Sequence, residues 1–204
     1  LEKALETQRN FLCTKQQFRT EFFDYNALEV QKHGLRYKDI QAKHIVFCEG
    51  MGVNQNPFFK AVNIIGNKGQ TLRVYIPNLK LQHIIKASVF LLPLSNKNFK
   101  VGATYERFYE DDKPTYEGTK YLMDELQKML RGSAELLQTS AGIRPTTPNR
   151  RPVVGKHPEK SNLWILNGMG TRGVLLAPWA VAQLTQAMRY NTAIDPEVDV
   201  ARFF

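Results

Sequence analysis

A chain of 204 residues, 43% hydrophobic and 23% charged, has the composition of a soluble globular protein and enough length to bury a sizeable core in one large domain or two small ones. Its most apolar stretch, residues 173–184, is 12 residues with Pro178 inside, which suits a buried helix and is too short to span a bilayer. A formal charge of +9 points either to a solvated basic surface or to an anionic partner: nucleic acid, a phosphorylated cofactor or a carboxylate substrate.

The opening LEKALETQRNF reads as the end of a helix, followed by an extended segment, FLCTKQQFRTEFF. No cationic-plus-apolar leader is visible, so a cytoplasmic setting is expected; a first residue of Leu rather than Met is expected of a piece of a longer chain. After a polar stretch, residues 43–48 form a short apolar strand that stops at Glu49-Gly50-Met51-Gly52. Small residues at a strand end let a backbone approach a ligand or helix closely, or simply make a turn. Cys13 and Cys48 each lie among apolar neighbours and read as buried reduced thiols. No C-x-x-C or Cys/His ligand spacing accompanies them, so no metal site is expected.

Residues 61–106 hold four extended runs, AVNIIG, QTLRVYI, HIIKASVFLLPL and FKVGATYE, punctuated by Gly66, Gly69, Pro77 and Asn96-Lys97-Asn98. The last gap is hairpin-like, a short polar turn between apolar runs. A helix is expected over residues 115–131, with Leu122, Leu126, Met129 and Leu130 at helical spacing, Thr115 at its start and Gly132 at its end. An antiparallel sheet covered by that helix follows from runs adjacent in sequence. Next come AGIRPTTPNRRPVVG, a polar HPEKS loop in which His157 reads as a surface residue, a strand over 162–167, and a helix over 174–189. The helix carries an apolar stripe of Leu176, Ala180, Leu184 and Ala187, with Pro178 tolerable in its first turn. The densest basic cluster, Arg144, Arg150, Arg151, Lys156, His157 and Lys160, falls in this part.

Between that strand and helix, residues 168–173 read GMGTRG, a complete G-x-G-x-x-G in the local setting of a dinucleotide fingerprint. A Rossmann unit needs a further strand carrying an acidic residue about 20 positions on. Asp195 and Asp199 stand near that distance, but Pro196 interrupts them and no buried strand pattern surrounds them. The motif is therefore not an ordinary adenine-dinucleotide fingerprint. A glycine-rich helix start still offers unpaired N–H groups and partial positive charge, fit for a phosphate or for negative charge on a flavin's pyrimidine ring. Arg144, between Gly142 and Pro145 at the end of a short strand, has the planar fork that suits bidentate carboxylate recognition. Pro148-Asn149-Arg150-Arg151-Pro152 makes a tight turn into Val153-Val154-Gly155. Blander alternatives remain for each: Arg144 paired with Glu106 or Asp111, Arg172 on the surface, GMGTRG a plain connector.

The segment AGIRPTTPNRRPVVGKHPEKSNLWILNGMGTRGVLLAPWAVAQL resembles the C-terminal segment of FAD-dependent oxidoreductases of the D-amino-acid oxidase type, glycine oxidase-like members among them. The order G-x-R-P-x-T-P, P-x-x-G, N-L-W, G-x-G-x-x-G-x-x-x-A-P covers residues 141–184. Upstream, AKHIVFCEG, GNKGQTL and VGATYE are similar to the family's cofactor-reaching, G-Q and G-x-T-x-E strands, and DPEVDVARF to its usual end.

The resemblance implies an α+β fold, mainly antiparallel and mixed sheet with flanking helices. Residues 1–60 would be a remnant of the FAD-binding domain, 61–140 a substrate-binding domain, and 141–204 the return to the FAD-binding domain. It implies that Arg144 clasps a substrate carboxylate, that Gly170, Thr171, Arg172, Gly173 and Val174 lie over the flavin pyrimidine edge, and that Gly50 lies near the FAD pyrophosphate. The cysteine of covalently flavinylated relatives, found near the Arg144 position, is absent, so FAD would be held non-covalently. The family's N-terminal glycine fingerprint and ribose-binding glutamate are also absent from this sequence. The chain is therefore expected to be the C-terminal portion of a longer flavoenzyme oxidising a small amine or amino acid by hydride transfer, with weak or no FAD binding alone. A tRNA-modification oxidase is a second reading, since the loop G-x-G-[ST]-R-G and the basic charge fit it. A non-catalytic binding domain without its cofactor half is a third.

Overall fold

The computed structural model describes residues 2–204. The chain divides into two units, one ending at Lys43 and one running His44–Phe204. No helix among the described residues is long and apolar enough to cross a membrane.

The first unit holds α1 (Glu2–Thr14) and a three-stranded antiparallel meander, β1 (Leu28–Gln31), β2 (Gly34–Tyr37) and β3 (Ile40–Ala42). The helix extends through Phe11–Thr14, where an extended segment is expected from sequence; in that last turn the Thr14 hydroxyl donates back to the Asn10 carbonyl at 2.9 Å. In the meander Leu28, Leu35 and Tyr37 are buried, and Phe23 stacks on Tyr37 at 4.4 Å. Exposed ion pairs tie the meander together: a two-point Arg19–Asp39 contact at 2.7 and 2.8 Å, Lys38–Glu21 at 2.8 Å and Arg36–Glu29 at 2.6 Å. The Arg19 guanidinium holds the Asp39 carboxyl down at about 2.

The second unit opens with β4 (Ile45–Phe47), followed by a 3-10 turn over Gly50–Gln55. A five-stranded antiparallel sheet follows, in the order β6-β7-β8-β5-β9: β5 (Ile65–Tyr75), β6 (Ile85–Lys86), β7 (Phe90–Pro93), β8 (Asn98–Gly102) and β9 (Glu135–Thr146). β7 and β8 form the expected hairpin, with Asn96 and Lys97 at φ 57° and 58° in its turn. Ile65 and Gly66 at the end of the run AVNIIG merge with QTLRVYI into one strand, because Gly66 and Gly69 continue the ladder to β9, while residues 61–64 lie outside it. That strand pairs with β9 over its whole length, through a bulge at Arg73/Val74.

α2 (Tyr116–Met129) covers this sheet as expected from sequence. The Thr115 hydroxyl accepts from the Gly118 N–H at 3.1 Å and fixes the helix start. Its end differs from expectation: the chain turns extended at Leu130, so Gly132 does not cap it. Leu122 and Leu126 pack with Leu72, Val74, Leu91, Phe99 and Val101 into one core. Gln70, fully buried, joins helix to sheet. Its Nε2 donates to Thr115 O at 3.1 Å and Thr119 Oγ1 at 2.6 Å, while its Oε1 accepts from Thr115 N at 2.9 Å.

A second, mixed sheet has the order β10-β11-β4, from β10 (Val153–Lys156) and β11 (Leu163–Asn167). β10 and β11 are antiparallel, and β11 runs parallel to β4. α3 (Gly173–Tyr190) packs on it through Ala180, Leu184 and Ala187 against Val154, Trp164 and Val198. Asn191, at φ 54°, closes the helix. The C-terminal segment adds to the free edge of β10, with Val154 N donating to Val198 O at 2.9 Å. Both sheets and the flanking helices give the α+β class expected from sequence.

Candidate functional site

Arg144 lies near the end of β9, opposite Asn67 of β5. Its Nη1 donates to Asn67 Oδ1 at 3.0 Å and to the Thr104 carbonyl at 3.3 Å, and its guanidinium carbon lies 4.7 Å from the centre of the Tyr105 ring. Beneath it is Gly69, where an added Cβ would fall 1.9–2.1 Å from Nη1, Nη2 and Cζ. The alternative in which Arg144 pairs with Glu106 or Asp111 is not what forms. Glu106 Oε1 accepts from Thr104 Oγ1 at 2.9 Å, and Asp111 lies 3.6 Å from the buried Lys68 ammonium. Among the described residues no carboxylate forms an ion pair with Arg144. The guanidinium is anchored along one edge and keeps Nη2 and Nε for another acceptor. Tyr105 also lines an open cavity of about 580 Å3 together with Ser88, Thr104, Glu106, Glu117 and Tyr121.

The Gly50 and Gly168–Gly170 loops both meet β9 at Pro145 and Thr146, the two residues that follow Arg144. Met169 bridges to Thr146, and a Cβ at Gly170 would lie 3.5 Å from Thr146 Oγ1. A Cβ at Gly50 would lie 3.8 Å from Pro145 Cγ. Gly50, Gly168 and Gly170 adopt φ of 56°, 71° and 54°, so backbone conformation rather than space selects glycine at Gly50 and Gly170. Asn167 joins the two loops: its Nδ2 donates to Gly50 O at 2.9 Å and its Oδ1 accepts from Gly168 N at 2.8 Å. Asn167 is buried and went unremarked in the sequence, where its only signal was a polar residue closing an apolar strand before the glycines.

After that turn, Gly170–Arg172 form a 3-10 turn that runs into α3. Thr171 and Arg172 are exposed, Gly173 half-buried, and Val174 70% exposed with Leu175 beside it at 75%. No side chain caps α3, and no acidic residue sits in its first turn, so its leading N–H groups and dipole are left for an external partner. Arg172 is a surface residue, and its Nη2 donates to the Arg150 carbonyl at 3.3 Å. That carbonyl belongs to the expected tight turn, which Thr147 and Asn149 hold: Thr147 Oγ1 lies 2.6 Å from Arg151 O, and Arg151 N donates to Asn149 Oδ1 at 3.1 Å.

Two expectations are corrected. His157 is buried, not on the surface. Phe59 and Phe204, from remote parts of the chain, flank its ring at 5.5 and 5.1 Å, and Nδ1 accepts from the Glu159 and Lys160 N–H groups. Burial lowers its pKa below the ordinary 6.5. Cys13 and Cys48 are exposed rather than buried. Cys48 follows the buried Phe47, and strand alternation turns it to the other side. Asp195 and Asp199 serve local turns, accepting from the Glu197 and Ala201 N–H groups.

Comparison with known proteins bears on this geometry. The family model DAO, FAD dependent oxidoreductase, matches residues 16–188. Glycine oxidase of Bacillus subtilis (strain 168) is 28% identical over 147 residues, 69% of this chain and 39% of that protein. The tRNA 5-methylaminomethyl-2-thiouridine biosynthesis bifunctional protein MnmC of Idiomarina loihiensis is 31% identical over 93 residues, 44% of this chain and 15% of that one. The crystal structure of glycine oxidase from Geobacillus kaustophilus superposes with a TM-score of 0.69 at 25% identity, over 86% of this chain and 50% of that one. The chain thus spans half or less of the length of these relatives.

Proposed function

The chain belongs to the FAD dependent oxidoreductase family, and on that premise we propose that it supplies the substrate-facing half of an enzyme that oxidises an amine or amino acid by hydride transfer to FAD. The observation that carries the reading is Arg144: anchored through Nη1, without a carboxylate partner among the described residues, and followed in β9 by Pro145 and Thr146, against which the Gly50 and Gly168–Gly170 loops pack.

The residues present fit a flavin. Left-handed glycines let the backbone come close, and the uncapped start of α3 favours negative charge. Gly50 would stand near the pyrophosphate, and Gly170, Thr171, Arg172, Gly173 and Val174 along the pyrimidine edge, holding FAD non-covalently. Bound there, FAD would supply the two-electron acceptor for a hydride leaving the substrate C–H. This chain's part is orientation and electrostatics. The Nη2 and Nε donors of Arg144 hold the substrate carboxylate, and the α3 start would favour negative charge on a ring placed against it. No Ser/His/Asp arrangement is required.

The test is anaerobic bleaching of flavin absorbance by glycine, sarcosine or D-amino acids in protein carrying an FAD-binding half. Arg144→Ala is expected to raise KM for these acids by about 100-fold, the scale of a lost charged, bidentate contact. Unchanged bleaching by Arg144→Ala removes the carboxylate-clamp role.

A second reading, oxidation of a modified tRNA nucleoside, is favoured by the GMGTRG loop, the charge of +9 and the match to MnmC. Its test is tRNA binding across salt concentrations, where a phosphate-driven complex weakens steeply. A flat salt response eliminates it.

A further inference from the structure

We infer that Gly69, Asn67 and Tyr105 form a slot that fixes the plane of the Arg144 guanidinium, making Gly69 and Tyr105 positioning residues for carboxylate recognition; this rests on the reading of Arg144 above. Three observations carry it. Gly69 lies mid-strand without a left-handed φ, so its backbone does not call for glycine. A Cβ there would overlap three guanidinium atoms at 1.9–2.1 Å, so the missing side chain is the space the arginine occupies. Glycine inside a strand weakens it, and the cost is consistent with a requirement at this point.

Tyr105 stands over the same guanidinium. Its ring stands 4.7 Å from the guanidinium carbon yet is 67% exposed, so core burial does not explain its position. Asn67 Oδ1 and the Thr104 carbonyl take the two Nη1 protons. With floor, roof and one edge taken, what remains is the side-on edge of Nη2 and Nε, open to an acceptor approaching in the guanidinium plane. A planar carboxylate fits that edge in bidentate fashion. A free arginine loses rotamer freedom when it binds; this one is already ordered, so the loss falls on folding rather than on substrate capture. The slot therefore selects substrates that carry a carboxylate over plain amines.

The experiment compares Tyr105→Ala, Tyr105→Phe, Gly69→Ala and Arg144→Ala in the FAD-loaded protein. The readouts are KM and kcat for glycine and for benzylamine, and the dissociation constant of benzoate by calorimetry. Tyr105→Ala is expected to weaken benzoate and raise KM for glycine by about 2- to 30-fold, the range of a cation–π contact, with kcat changed less and benzylamine unaffected. Tyr105→Phe, which keeps the ring face, is expected to restore affinity to within about twofold. Gly69→Ala is expected to exceed Tyr105→Ala in the same direction, because it displaces the guanidinium. If Arg144→Ala weakens benzoate while Tyr105→Ala and Gly69→Ala do not, the slot is refuted and the clamp survives. If Arg144→Ala leaves benzoate unchanged, both fall. Equal losses for glycine and benzylamine also overturn the slot. Because Tyr105 is exposed, its variants keep the test decisive even where Gly69→Ala fails to fold.

Discussion

Replacing Gln70 by glutamate offers a sharp test of how α2 is fastened to the sheet. The buried amide donates from Nε2 to Thr115 O and Thr119 Oγ1, and accepts at Oε1 from Thr115 N. A protonated glutamic acid has the same shape and keeps one donor and one acceptor, so Gln70→Glu is nearly neutral while the acid is un-ionised. Ionised, it sets a second oxygen against the Thr115 carbonyl, 3.1 Å away in the parent, within a site with no solvent exposure. Burial and the facing carbonyl both disfavour charge, and a rise of about two units in the folded-state pKa is a conservative figure for such a position.

At about 1.4 kcal/mol per unit, that rise costs roughly 3 kcal/mol of stability once the pH exceeds the folded pKa. The sign is fixed: a carboxyl raised on folding leaves stability intact below the unfolded value and removes it progressively as pH climbs. Urea unfolding of parent and Gln70→Glu at pH 4 and pH 8, followed by circular dichroism, measures the difference at each pH. The expected difference is small at pH 4 and roughly 3 kcal/mol at pH 8. Equal differences at the two pH values would refute the amide's placement against the Thr115 carbonyl.

The remaining predictions concern two other fastenings. His157 has a folded pKa below 6.5, so its contribution to stability is complete above the unfolded value and is lost as pH falls through the folded one. Acidification from pH 7.5 to 5 is therefore expected to lower the unfolding midpoint of the parent more than that of His157→Gln; parallel curves would exclude the imidazole as the acid-sensitive group. Thr115→Ala removes the α2 cap and is expected to cost about 1–2 kcal/mol in the same unfolding assay, and a loss below 0.3 kcal/mol, roughly the measurement error, would argue that the cap is idle.

Much of this architecture was legible locally, and what was not has identifiable causes. The start of α2, the β7–β8 hairpin and the apolar stripe of α3 were readable because each depends on residues a few positions apart. Gly66 and Gly69 read as punctuation, since glycine in a strand pattern signals a break. They instead lie within β5, with the Tyr109 hydroxyl over the first and the Arg144 guanidinium over the second, neither of which lies nearby in sequence. β9 runs 12 residues where only a short strand was expected before Arg144, because its first half is exposed and carries no clear two-residue alternation. The meander of the first unit was missed for a similar reason: its strands are three or four residues long and bury only Leu28, Leu35 and Tyr37, too few apolar positions to show an alternating pattern. His157 looked solvated in a polar loop because the rings that bury it come from Phe59 and Phe204. At the site, residue types were legible, whereas the pairing of Asn167 with Gly50 and of Arg144 with Asn67 needed the fold.

Those pairings also set a timetable for synthesis. Asn67 precedes Arg144 by 77 residues and Gly50 precedes Asn167 by 117. At a translation rate of roughly 5–20 residues per second, the earlier partner waits about 4–15 s in the first case and about 6–23 s in the second. Through that interval β5 has no β9 alongside it and β4 has no β11, and both edges stand open to other chains. The arrangement around Arg144 is thus a late product of translation. A nascent chain stalled before residue 144 would carry the floor and roof of the slot with nothing between them.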